Sequence, residues 1–307
     1  MKKFFTLLAA VLVTVLPLSA RTVSEPDLNA KSETKEYQFN SFNGIDASWI
    51  YQVELVQAPR HAVRVDAPDF LMPFLRVEVR GGVLTLGVGD LPRDVRRRVE
   101  NGSRNQVRVF VSMPDLLILR MSGASKLTVK GDFSSHKDFE MRLSGATNVQ
   151  DLSVRASEAD IEASGAAKFS LAGKFDKLSV RGSGSVSASI AADAKTVDLI
   201  LSGATKLTLD GKYGDVSLRG SGAANTDIAG SMEILDAECS GAAKLGASQA
   251  PVRRARVIFS GAAYGMIDVR DELSINLSGA AKLNYHPGPS LRIKSQSVSR
   301  ASTLSSY

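Results

Sequence analysis

A serine stands directly before a glycine nine times, at 122, 144, 164, 183, 202, 221, 240, 260 and 278, with spacings between 18 and 22 residues. A serine hydroxyl becomes a nucleophile only beside a base that takes its proton. The chain offers His61, His136 and His286, and no Gly-x-Ser-x-Gly elbow. Nine copies of one nucleophile have no chemical use, so these serines read as structural and the histidines as turn or surface groups. Cys239, the only cysteine, falls at an apolar position of the repeat and reads as a small buried hydrophobe. One cysteine and three histidines exclude a disulfide framework and a Cys/His zinc cluster within one chain. Gly87-x-Gly89-Asp90 is a single echo of the calcium-binding β-roll pattern. No cofactor and no metal are expected.

Carboxylates are the other candidates for chemistry. Asp268, Asp271 and Glu272 are near one another, as are Asp66 and Asp69. Glycoside hydrolysis requires such pairs, but converging on one cleft. Both groups read better as charged turns. A polysaccharide-active enzyme, a lyase or glycoside hydrolase on a β-helix scaffold, stands as the alternative to a non-enzymatic protein.

The cations are more regular. Four residues after each repeated serine come Lys126, Asn148, Lys168, Ser187, Lys206, Asn225, Lys244, Tyr264 and Lys282, so lysine occupies every second copy. Like charges directly opposite each other on neighbouring strands repel. Alternation doubles the distance between them. The row is either a binding stripe for an anionic polymer or a solvated face that keeps the surface soluble. A second basic cluster, Arg93, Arg96, Arg97, Arg98 and Arg104, is offset by Asp90, Asp94 and Glu100 and reads as a loop. It is either a patch for phosphate- or carboxylate-bearing glycans or a set of local ion pairs. Nucleic acid is not expected, because aromatic residues do not interleave with the arginines.

The elements that must carry these side chains follow from alternation. Eight of the nine pairs continue into alanine, Ser183-Gly184-Ser185 being the variant. Three residues before each serine stand Leu119, Met141, Ile161, Val180, Leu199, Leu218, Ala237, Val257 and Ile275, all apolar. The next residue is mostly polar and the one after mostly apolar, which is the period of a strand with one buried face. Alternation resumes beyond the glycine. A strand-corner-strand unit buries its inner face only by stacking on its own copies. The chain therefore reads as all-β: a single-stranded right-handed parallel β-helix with about nine Ser-Gly-Ala coils of about 19–20 residues. A coil of about 38 residues with two corners is the rival reading.

The 307 residues carry 38 Lys plus Arg against 32 Asp plus Glu, a net charge of +6, and are 44% hydrophobic, enough for a packed core. Residues 1–20 read as a secretory signal peptide, with Lys2 and Lys3 before the apolar run Phe4–Leu16. Residues 21–36 read as a polar linker, 37–118 as an N-terminal β region leading into the solenoid, 119–285 as the repeat solenoid and 286–307 as a polar tail. In the β region, Gly81-Gly82 between two alternating runs signals a hairpin.

Phe42-Asn43-Gly44-Ile45, the later Gly-Gly-x-Leu-x-Leu and the serial Leu-Ser-Gly-Ala together resemble the head GIN domain family, whose members carry the name putative autotransporter adhesin. The resemblance spans roughly residues 37–285. It implies a β-helix fold similar to single-stranded right-handed β-helices, supplies no catalytic residues, and comes without a translocating β-barrel in this chain. The expected function is that of an exported, non-enzymatic adhesin or cell-envelope binding protein, in the periplasm, at the cell surface or secreted. Polysaccharide or another envelope protein would be the partner, and the chain would not be integral to the membrane after signal cleavage.

Overall fold

The computed structural model describes residues 31–101, 106–135 and 137–307. The signal peptide, the first part of the linker, Arg104 and His136 lie outside the described residues. Among the described residues twenty-one strands join one continuous sheet, in which successive turns of the chain stack as rungs of a β-solenoid.

Each repeat is one rung. Lys168–Gly182 pairs in parallel with Ser187–Leu201, matching Lys168 to Ser187 and Gly182 to Leu201. Ser187–Leu201 then pairs with Lys206–Gly220, matching Ser187 to Lys206. The offset is one Ser-Gly copy each time, which rules out the two-corner coil. The predicted columns exist. Leu119, Met141, Ile161, Val180, Leu199, Leu218, Ala237, Val257 and Ile275 lie in register and are all buried. In Lys168–Gly182 the buried residues fall at 169, 171, 175, 178, 180 and 182. The period of two holds along each side, and the longer intervals mark where the strand bends around the core.

The Ser-Gly corner is dictated by stacking. Each corner glycine has a positive φ, between 68° and 83°. A Cβ on Gly203 would sit 2.8 Å from the carbonyl oxygen of Gly184 in the rung below. That carbonyl accepts the N–H of Ala204 at 2.8 Å, and the same bond recurs from rung to rung. Only glycine meets both demands. The residue two after the glycine turns inward at every corner, from Ser125 to Ala281. Ser125 Oγ and Thr205 Oγ1 donate back to the carbonyls of Ser122 and Ser202, at 2.9 and 2.7 Å.

Chain order and spatial order part company in the N-terminal region. The strand Gly44–Ala47 lies between Val83–Val88 and Ile118–Met121, parallel to both. Tyr51–Gln57 lies between Val107–Met113 and Lys126–Lys130. The corner between them, Ser48-Trp49-Ile50, is therefore a further copy of the repeat with tryptophan in place of glycine. Trp49 takes φ 79°, and its carbonyl accepts the Ala124 N–H at 2.6 Å.

Beyond this rung the parallel stack ends in antiparallel strands. Leu75–Arg80 pairs with Val83–Val88 through Gly81-Gly82, both at positive φ, as the sequence predicts for a tight hairpin. Ala62–Pro68 pairs with Val107–Met113, and Ser32–Tyr37 with Ala62–Pro68. Residues 32–36, read from composition as linker, thus belong to a strand. A short helix, α1 (Arg93–Asn101), follows. The stretch read as a basic loop is this helix: Val95 and Val99, four apart, face the core and the arginines face out.

The tail is also structured. Arg292–Val298 and Thr303–Ser306 add one more rung, with Ser299-Arg300-Ala301 at the corner. Ser299 N–H donates to Leu277 O at 2.9 Å, the bond every corner serine makes. The serine-rich composition reflects a last rung with one face uncovered, where Ile293 is 42% exposed.

Candidate functional site: two rows of outward side chains

On each rung the side chains that face outward fall into rows on either side of the serine corner. The row two residues before the serine holds Arg120, Arg142, Glu162, Arg181, Arg219 and Glu238, and the row four before it holds Glu140, Asp160, Asp236 and Arg256. Arg142 faces Arg120 in the register, and acids on the same and neighbouring rungs separate the like charges. Arg120 meets Glu140 of the next rung at 3.0 Å, Arg142 meets Glu140 of its own strand at 3.3 Å and Glu162 of the next rung at 3.5 Å, and Arg181 meets Asp160 of the neighbouring rung at 2.7 Å. Arg219 pairs with Glu238 at 3.8 Å, and Arg256 with Asp236 at 3.1 Å. This face lines a groove of about 520 Å³ along the serines, between Asp46 and Ser202. Its charges cancel locally. Burial raises the Asp46 carboxyl above the usual range, against the pull of Arg120.

The face after the corner is different. Lys126, Asn148, Lys168, Ser187, Lys206, Asn225, Lys244, Tyr264 and Lys282 form one unbroken register row. The row also extends past Gln52, opposite Lys126, to Arg108, opposite Gln52. Cation and neutral residue therefore alternate from Arg108 to Lys282, a comb with one tooth every second rung, about 10 Å apart. All six cations are exposed. Among the described residues none has a carboxylate within 4.0 Å, whereas the arginines of the opposite face are paired. Sequence reasoning missed Arg108, because its rung is out of chain order.

Beside the comb runs a second row: Glu54, Thr128, Gln150, Ser170, Ser189, Thr208 and Asp227. Comb and hydroxyl row together line a shallow groove of about 420 Å³ that includes Lys168, Ser170, Ser187, Ser189, Lys206 and Thr208. A bulge at Asp151, φ 58°, hydrogen-bonds its N–H to Ser170 Oγ at 2.9 Å. Such a face offers exposed cations and hydroxyl and amide groups at a fixed pitch, suited to contacting an extended anionic chain.

The other predicted site residues are dispersed. Arg93, Arg96, Arg97 and Arg98 sit on α1, outside the strand register of the lysines, with Arg98 stacked on Phe70 at 4.1 Å from the ring centre. Asp268 pairs with Arg270 at 2.7 Å, Asp271 with Arg253 at 3.2 Å, and Glu272 with Lys294 at 2.7 Å. Asp66 lies 3.5 Å from Arg64, and Asp69 accepts the Phe70 N–H. Each acid thus has its own local partner. His61 Nε2 lies 2.8 Å from Phe42 O, and His286 Nδ1 lies 3.5 Å from Asp268. No group of three or more metal-ligating side chains occurs among the described residues.

Cys239 is buried, and burial pushes its thiol up to about 12, with a Gly220 backbone hydrogen bond opposing weakly. A thiol reagent at mildly alkaline pH is expected to leave the folded protein unlabelled and to label it fully in denaturant. Stoichiometric labelling of folded protein would contradict the packing at this rung.

These features define a repeat β-solenoid that displays side chains in rows along its length. Within that class, the chain belongs to the head GIN domain family, described as putative auto-transporter adhesin, whose sequence profile matches residues 41–193 and 176–289. No curated protein sequence matches it. Among solved structures it is similar to a putative adhesin from Parabacteroides merdae, at 15% identity over 91% of this chain and 97% of that one, TM-score 0.49. A putative adhesin and a putative lipid binding protein from Parabacteroides distasonis give 14% and 16% identity. They cover 90% and 91% of this chain and 98% of each of those, with TM-scores of 0.47 and 0.43. No helix among the described residues is long and apolar enough to cross a membrane.

Proposed function

We propose that this chain is an exported, non-enzymatic adhesive solenoid whose cationic comb binds an anionic glycan of a cell envelope or surface. The observation that carries this reading is the contrast between the two faces. Arginines before the corner are neutralised by acids one rung away, while the comb cations after it have no such partner among the described residues. Glu54 and Asp227 stand in the row beside the comb, yet among the described residues neither comes within 4.0 Å of a comb cation, which leaves those cations available to an anion from outside. Repeated weak contacts along a rigid axis add up, because each one after the first forms at high local concentration. The family's adhesin description supports the same reading, and the apolar run of residues 1–20 supports export.

The test is binding of the protein to immobilised anionic polysaccharides and to neutral dextran. Retention on the anionic polymers, falling steeply as salt screens the contacts, is expected, with none on dextran. Equal retention on both, or retention unaffected by salt, would refute the reading.

A further inference from the structure

Resting on that reading, we infer that the ligand is a linear glycan bearing one anionic group on every second sugar, held along the solenoid axis over a segment of three charges. An extended β-linked glycan advances by about one rung spacing per sugar ring. The comb presents a cation on every second rung, about 10 Å apart. A chain with a carboxylate on each ring would place every second charge over Asn148 or Ser187, which carry none.

The length of the segment is set by acids. In the row beside the comb, Thr128, Gln150, Ser170, Ser189 and Thr208 offer hydroxyls and an amide. Glu54 interrupts this row on one side, directly opposite Thr128, and Asp227 on the other, directly opposite Thr208. Between them lie three cations, Lys126, Lys168 and Lys206. A longer ligand meets a carboxylate at either end. The hydroxyls and the amide are placed to hydrogen-bond sugar hydroxyls between the charges.

The experiment titrates the full chain with oligosaccharides of alternating glucuronate and N-acetylglucosamine, in increasing length, and with oligogalacturonates of matched total charge. Affinity for the alternating series is expected to rise by up to about fivefold per added carboxylate as far as three, then level off. At matched charge the galacturonates are expected to bind several-fold more weakly. The double variant Lys206→Ser with Ser187→Lys keeps the net charge but moves one tooth by one rung. It is expected to lose the preference for the alternating series while keeping affinity for galacturonates. Glu54→Gln with Asp227→Asn is expected to move the plateau to longer oligomers.

If both series bind equally, or if affinity follows total charge without a plateau, the spacing inference fails while the anionic-glycan reading stands. If neither series binds and no other anionic polymer does, both fall together.

Discussion

Gly203→Ala is expected to destabilise the protein by about 3 kcal/mol or more, far beyond the ordinary cost of changing one exposed residue. Two effects add. Holding alanine at the φ of 71° seen here is unfavourable by roughly 1–2 kcal/mol. The new Cβ also falls 2.8 Å from Gly184 O, an oxygen already fixed by its bond to Ala204. Relief requires lifting one rung from the next. A matched control exists at Gly81, where φ is 56° but an added Cβ would meet no atom within 4 Å, so Gly81→Ala carries the conformational cost alone. In a stack where each rung touches only its neighbours, a break in the middle separates two blocks. Urea unfolding of Gly203→Ala is therefore expected to show a lower midpoint and a broader or two-step transition. A cost for Gly203→Ala equal to that for Gly81→Ala would show that rung-to-rung contact does not dictate glycine here.

The second large effect concerns binding. Changing Lys126, Lys168 and Lys206 together to glutamine is expected to lower affinity for an anionic polysaccharide by roughly a hundredfold, each lost contact contributing a small exposed ion pair. The loss should be largest at low salt and fade as ionic strength rises. The companion variant changes Arg120, Arg142 and Arg181, also three positive charges on the same solenoid. It is expected to bind nearly as well as the parent, because those cations are already matched to Glu140, Glu162 and Asp160. The comparison separates a specific row from net charge. Equal losses in the two variants would mean that only overall charge matters. Unfolding curves of both variants check that the stack is intact.

The core of the solenoid was legible because its signal is redundant. Leu119, Leu199 and Ile275 each sit three residues before a Ser-Gly pair, and in-register stacking turns that spacing into a column. The lysine row followed from the same register. What escaped was whatever broke the pattern. Ser48-Trp49-Ile50 is a corner whose glycine has become tryptophan, and it stacks next to residues more than 70 positions along the chain. Arg108 joins the comb only through that displaced rung. The arginines of α1 hid a helix because charge obscured Val95 and Val99, although Pro92, just ahead of the first helical residue, and Asp94 in the first turn are helix-start signals. Residues 292–306 read as a tail because a terminal rung has solvent on one side, so its composition is polar while its backbone pairs normally. The ion-pair ladder needed register as well as residue type, since Arg181 reaches Asp160 across rungs and not along the strand.

One Ser-Gly copy makes one rung, and both the core columns and the comb depend on that correspondence. It is tested most directly by spin labels on the comb, in a Cys239→Ser background. Cysteine pairs at 126 and 206, 126 and 244, and 126 and 282 are separated by four, six and eight rungs. Dipolar distances of about 19, 29 and 38 Å, rising linearly, are expected from the rung spacing. Distances of about half those values would mean two copies per turn, and would contradict both the fold and the spacing of the comb.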